Sequence, residues 1–304
     1  VGLDKDRESG GRDVVEIDIT SEASIRNALE AIRHDHGANI AALVHLIAYF
    51  DFSGDPDPRY DEVNVEGTRK LLAALHDFNI ERFIYASTML VHRPGAPGER
   101  IDENTPIDPR WEYPKSKMRA EAVIRGEARI PFAILRLAGV YDERTAVPTL
   151  SQQIARIYER NFQSHLYSGG LNAGQAMLHR EDLIDAVRRT IERRASLPED
   201  AAVLIGEPDT LDYDTLQDRL GQLIHGDEEW ATLTIPAPVA KIGAKLQNLA
   251  EPLIPDEIDG GEKPFIQPFM IDMASDHYAL DISRARDWLG WEPQHSLARV
   301  LPEM

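Results

Sequence analysis

"RFIYASTMLVHRPGAPGERIDENTPIDPRWEYPKSK", residues 82–117, is the stretch whose reading decides how this chain folds. It opens on a short β-branched and aromatic run, "RFIYA" (82–86), which reads as a buried strand. The chain leaves that strand through Ala86 and the hydroxyl pair Ser87 and Thr88, and crosses a segment rich in Pro and Gly. It re-enters regular structure at "YPKSK", where Tyr113 and Lys117 stand four residues apart. Proline is welcome in the first turn of a helix, so Pro114 puts Tyr113 at a helix entrance. Lys117, one turn on, then lies on the same face. The spacing alone carries little weight, because a chain with nine tyrosines produces Tyr-x-x-x-Lys by chance.

The sequence on either side repeats the strand-then-helix pattern. "VGL" (1–3), "VVEI" (14–17), "IAALVHL" (40–46) and "FAILRL" (132–137) read as buried strands. Between them "SIRNALEAIRHDH", "YDEVNVEGTRKLLAALHDF" and "YPKSKMRAEAVIRGEA" carry apolar residues at helical spacing. Such alternation predicts right-handed crossovers and an α/β fold with a parallel sheet covered on both faces. Ligands of such sheets bind beyond the carboxyl ends of the strands. After about residue 145 the alternation weakens. Helical patterns continue at 149–160, 182–194, 214–224 and 238–250, with strand-like "SHLY" and "AVLIG" between them. The Pro-, Gly- and acid-rich stretch at 250–269 reads as a loop. The expected organisation is a dinucleotide-binding domain over 1–145. Residues 146–304 form mainly a substrate-binding lobe that returns some segments, including one strand, to the main sheet.

Composition narrows the function. With 304 residues the chain can bury a large core. No apolar run reaches the 18 residues of a membrane span. A formal charge of −19 argues against nucleic acid as a partner, since a phosphate backbone needs a basic footprint. The absence of cysteine removes disulfides, thiolate catalysis and Cys-type zinc sites, and fits a cytoplasmic protein. None of the ten histidines falls into a metal-binding pattern; His45 and His92 read as packing or surface residues. The chain opens on "VGLDKD" without an initiator Met, which reads as a piece of a longer polypeptide.

The strand ends supply candidate ligands. Asp4 follows the first strand, where a carboxylate accepts ribose hydroxyls in dinucleotide folds. Asp18 could accept from an adenine amino group while Ile19 packs its ring; Asp18 could equally serve the helix starting near Ser21. Leu46, Ile47 and Ala48 are small or apolar and let a ligand approach the backbone. Ala86, Ser87 and Thr88 end one strand, and Ala138 and Gly139 the next.

Together, Asp4, "DIT", "VHLIA", "NVEGT" (64–68), "RFIYAST", "YPKSK", "ILRLAGVYD", "LHREDLIDA" (178–186) and "DISRARDWLGWEP" (281–293) resemble the extended short-chain dehydrogenase/reductases. This group comprises NAD-dependent epimerases, dehydratases and 3β-hydroxysteroid-dehydrogenase-like enzymes, and the resemblance runs over roughly 1–295. It implies a Rossmann-type doubly wound sheet, NAD rather than NADP because Asp4 repels a 2′-phosphate, and a homodimer paired through the helix at Tyr113. It implies Tyr113 as general acid/base, with Lys117 lowering its pKa and binding the nicotinamide ribose. The hydroxyl residue lies 25 positions before the tyrosine, which selects Thr88 over Ser87. Asp4, Asp18, Ile19, Leu46, Ile47, Ala48, Ala86, Ser87, Tyr113, Lys117, Ala138 and Val140 would contact the cofactor. Thr88, Gly139 and Gln175 would face a small-molecule substrate. Asn64 would brace the sheet more than take part in chemistry, and His179 would be structural.

Three departures shape the expected activity. The Gly-rich phosphate turn is absent, so either upstream residues exist in the native protein or the chain binds cofactor poorly. Met89 and Leu90 occupy the positions where 4,6-dehydratases carry an Asp-Glu pair, which argues against dehydration. Gln175 stands where many nucleotide-sugar enzymes place a diphosphate-binding arginine, although Arg144 or Arg156 could substitute. The leading expectation is an NAD(P)-dependent oxidoreductase acting on a hydroxyl/carbonyl pair of an apolar or steroid-like molecule, with the apolar stretch at 235–250 lining the pocket. The alternatives are a sugar-nucleotide epimerase with tightly bound NAD, and a non-catalytic dinucleotide-sensing protein.

Overall fold

The computed structural model describes residues 1–5, 14–160, 162–227, 229–240 and 268–304. The apolar stretch and the loop expected between 235 and 269 therefore lie mostly outside the described residues.

The chain is α/β, and every pairing between its named strands is parallel. Strand β1 (Gly2–Asp4) pairs with β2 (Val14–Glu16), and helix α1 (Glu22–His36) follows. Ser21 caps α1 by accepting from Ser24 N. Short strand β3 (Asn39–Ile40) precedes β4 (Leu43–His45). A wide-wound π turn, Tyr60–Gly67, runs directly into α2 (Thr68–Ala74). Strand β5 (Asn79–Ile80) pairs with β3, and β6 (Phe83–Thr88) enters the main sheet. After β7 (Arg100–Ile101) comes α3 (Glu112–Glu127), then β8 (Phe132–Leu137) and β9 (Gly139–Tyr141).

The later half contributes α4 (Pro148–Glu159), β10 (Leu166–Tyr167), β11 (Met177–His179), α5 (Arg180–Glu192), β12 (Asp200–Ile205) and α6 (Tyr213–His225). Strands β13 (Leu233–Thr234) and β14 (Ala279–Leu280) complete the set. The main sheet runs β12-β8-β6-β4. Phe132–Leu137 is buried along nearly its whole length because both faces are covered, and its one charged residue, Arg136, is buried in an ion pair with Glu121. One core lies between the sheet and α1, α2 and α3, built on Ile25, Leu29, Phe83, Tyr85 and Ile124. A second, on the opposite side, gathers Ile84, Leu135, Val203, Leu280 and Trp291. The later half has its own cluster on Tyr141, Leu150, Tyr213 and Trp230. Strands β4, β6 and β8 end side by side, which brings Leu46, Thr88 and Ala138 to one edge of the sheet.

Candidate active site

Tyr113 and Lys117 are placed by the entrance of α3. Trp111, at the N-cap, is extended, and the helix begins at Glu112. Lys117 Nζ donates to the Ala86 carbonyl at 2.8 Å, which ties the helix to the end of β6. Ser116 Oγ donates to the Tyr113 carbonyl at 2.7 Å and accepts from Asn64 Nδ2 at 2.8 Å. Asn64 also holds both backbone groups of Tyr49, at 2.6 and 3.0 Å. All of its polar atoms are thus committed to bracing the loop after β4 against α3. Thr88 ends β6 and accepts from Leu90 N at 3.3 Å. Ser87 Oγ instead donates to Glu121 Oε1 at 2.6 Å, inside a buried ion pair with Arg136.

Electrostatics differ from the sequence expectation. Burial pulls the Lys117 ammonium down to about 7, opposed by the Glu121 carboxylate. Burial pushes the Tyr113 phenol up to about 12, with Tyr60 adding to the effect. Lys117 Nζ lies 5.8 Å from the Tyr113 ring and 4.8 Å from that of Tyr85. In the protein alone, desolvation outweighs the lysine, so the expected lowering of the Tyr113 pKa is absent. No hydrogen bond to another described residue ends on the Tyr113 hydroxyl.

A cavity of about 420 Å³ opens over these groups. It is lined by Leu46, Ala48, Ala86, Ser87, Thr88, Tyr113, Lys117, Ala138, Gly139, Val140 and Gln175. Four expected residues are not among its walls. Asp4 sits at the end of β1, where its carbonyl accepts from Ile17 N. Asp18 accepts from the backbone and hydroxyl of Thr20, bonds that hold its carboxyl below the usual range. Ile19 is buried against Gly67, and Ile47 packs into the core beneath. Arg144 is exposed away from the cavity, while Arg156 is buried and bonded to Ser164 O, Leu166 O, Gln153 and Gln217.

Several walls were not anticipated. Phe50, Phe52, Trp111, Met273 and Tyr278 make the cavity largely apolar, and Arg110 pairs with Asp276 across it at 3.1 Å. Phe50 and Trp111 meet Tyr113 with ring centroids 4.8 and 5.6 Å apart. The signal for the phenylalanines was present: both lie in the loop that leaves the carboxyl end of β4. His45 and His92 are buried, and desolvation lowers them to about 3 and about 4. His179 caps α5, accepting from Glu181 N. Among the described residues no group of side chains could hold a metal ion, and no helix is long and apolar enough to cross a membrane.

Residues 1–206 match the model of the NAD dependent epimerase/dehydratase family. The chain belongs to this family. Members of the NAD dependent epimerase/dehydratase family are enzymes, and the family's cofactor is NAD. Among curated relatives, human dTDP-D-glucose 4,6-dehydratase is 25% identical over 179 residues, covering 58% of this chain and 49% of that protein. Sterol-4-alpha-carboxylate 3-dehydrogenase (decarboxylating) of Saccharomyces cerevisiae is 22% identical over 290 residues, 91% of this chain and 77% of the relative. The chain thus spans about half the length of the human relative it matches. Among solved structures, gox2253 superposes with a TM-score of 0.70 at 20% identity, covering 99% of this chain and 88% of the other. The UDP-glucuronic acid 4-epimerase of Bacillus cereus, in complex with UDP-glucuronic acid and NAD, gives 0.68 at 17%, covering 97% and 82%. At these identities the structural likeness establishes the Rossmann-type fold.

Proposed function

We propose that this protein is an NAD-dependent dehydrogenase that interconverts a secondary alcohol and a ketone on a largely apolar molecule. The observation that carries the reading is the convergence of Thr88, Tyr113 and Lys117 on one apolar cavity, with Lys117 anchored to the end of β6. The nicotinamide end of NAD fits the groups on the cavity wall. Lys117 spends one of its three N–H donors on Ala86 O, and small residues at Ala86, Ala138 and Gly139 let a flat ring approach. NAD, when bound, accepts or returns the hydride. Thr88 Oγ1 donates to the reacting oxygen and orients it. Tyr113 Oη takes the hydroxyl proton during oxidation and returns it during reduction. A phenol at about 12 is too weakly acidic for that role near neutrality, so positive charge beside it in the loaded site must bring it down.

Met89 and Leu90 bring no carboxylate to the cavity, which argues against elimination of water. No arginine stands at Gln175, and Arg156 is engaged elsewhere, which weighs against a sugar diphosphate. The test uses the full-length protein and a panel of cyclic secondary alcohols with NAD, followed by NADH absorbance. Tyr113→Phe should lower kcat by about 10²–10⁴-fold, the usual worth of a positioned acid/base. An unaffected kcat would remove Tyr113 from the chemistry. Conversion without net NADH would favour an epimerase.

A further inference from the structure

Beneath the cavity floor Lys117 and Ser87 meet a buried charged network whose other members, Glu121, Arg136 and Arg125, the reaction as derived does not use. Lys117 and Glu121 are one helical turn apart on the sheet-facing side of α3, and both are buried. They grip consecutive residues of β6: Lys117 Nζ donates to Ala86 O at 2.8 Å, and Glu121 Oε1 accepts from Ser87 Oγ at 2.6 Å. Glu121 is fixed in turn by Arg136 on β8, through bonds of 3.1 Å from Nε and 2.7 Å from Nη2. Arg125 donates to the same carboxylate at 2.9 Å. Arg136 is the register partner of Ser87, so the network spans the sheet directly beside the catalytic strand end.

We infer that Glu121 is a positioning residue for the catalytic centre: its carboxylate locks the end of β6 that carries Thr88 and keeps the buried Lys117 ammonium charged. The inference rests on the assignment of Lys117 above. Both effects follow from one placement. A carboxylate with only a structural task has no need to sit a turn from the one buried lysine among the described residues. A buried ammonium whose bonding partner is a neutral carbonyl loses its proton readily, and Glu121 supplies the nearby negative charge that retains it. The other groups around the pair lack that charge. His45 on β4 is neutral, Tyr85 on β6 and Tyr113 on α3 are un-ionised, and Arg136, Arg125 and His92 are positive or neutral.

The prediction is read without any turnover assay, so its failure is separable from failure of the dehydrogenase reading. Seven lysines make a [ε-¹³C]lysine NMR spectrum of the full-length protein simple enough to follow Lys117 through a pH titration, with Lys117→Met fixing the assignment. Lys117 should titrate near 7 in the parent protein. Glu121→Gln should move that midpoint down by about one unit or more, as loss of a close opposite charge does. Glu121→Asp should restore most of it, and Ser87→Ala, which removes a hydroxyl but no charge, should leave it in place. Glu121→Gln alone strands Arg136 in the core. If that variant does not fold, Glu121→Gln with Arg136→Gln removes the pair as a unit and should show a smaller downward movement, because a nearby positive charge leaves with the carboxylate. A Lys117 midpoint that stays put in whichever of these variants folds overturns the inference.

Discussion

Lys117 is held in a state its own chemistry resists. Its folded pKa of about 7 lies below the ordinary lysine value of 10.5. Between these values the unfolded chain binds more protons than the folded one, so this group's contribution makes stability rise with pH across that window. Below pH 7 its full cost is present. Lys117→Met should therefore raise the unfolding free energy at pH 7, by an amount on the order of a few kcal/mol less the cost of the freed Ala86 carbonyl. The gain should shrink as pH rises from 7 towards 10.5. Paired urea titrations at pH 7 and pH 9.5 check both parts, and a variant less stable than the parent at pH 7 contradicts them. Stability surrendered at the position proposed here as catalytic would be a common trade.

At the scale of elements, what was legible in the sequence follows from what a local pattern encodes. "FAILRL" forms a strand over the residues expected, because a run buried on both faces leaves no other reading. "SHLY" yields only Leu166–Tyr167, since its first residues belong to the 3₁₀ turn Phe162–His165. Thr88, Tyr113 and Lys117 were reachable through motif order and spacing. Arg110 against Asp276, and Glu121 against Arg136, were not, because each pair joins separate elements that only the fold brings together. The sign of the Tyr113 shift was missed for a similar reason: burial, with Phe50 and Trp111 packed on the ring, and the electrostatic effect of Tyr60 raise the phenol together, from separate places in the chain. Close approach between elements makes its own demand at Gly174, one residue before Gln175. A Cβ there would lie 2.2 Å from the Leu211 carbonyl oxygen, which is backbone and cannot step aside. Gly174→Ala should cost about 1–3 kcal/mol, the usual range for forced overpacking. It should also weaken substrate binding more than cofactor binding, because the strain falls beside Gln175 rather than at β6. Thermal unfolding with separate titrations of NAD and substrate would show otherwise if the two affinities fell together.

Over the whole molecule, acid acts through two opposed sets of buried groups. His45 and His92 have folded pKa values of about 3 and about 4, below the usual 6.5. As pH falls from 6.5 the unfolded chain takes up protons that these folded imidazoles refuse, and stability drops. Glu207 works the other way. Burial raises it to about 7, above the ordinary 4.5, so the folded state binds the extra proton between those values and stability grows as pH falls. Asp276, raised to about 6 by burial, acts in the same sense. The two sets overlap between pH 5 and 6.5, and there they offset one another. Glu207→Gln removes one opposing group; the carboxylate accepts from Leu297 N on one oxygen and from the Tyr141 hydroxyl on the other, at 2.8 Å each, and the amide keeps its one oxygen for Leu297 N while its nitrogen donates to the Tyr141 oxygen. The parent protein should lose little stability between pH 7 and pH 5, whereas Glu207→Gln should be more stable than the parent at pH 7 and lose that advantage by pH 5. Urea unfolding at the two pH values measures this crossing. Parallel slopes for the two proteins would mean that Glu207 is already ionised in the fold, and that the histidines act without opposition from it.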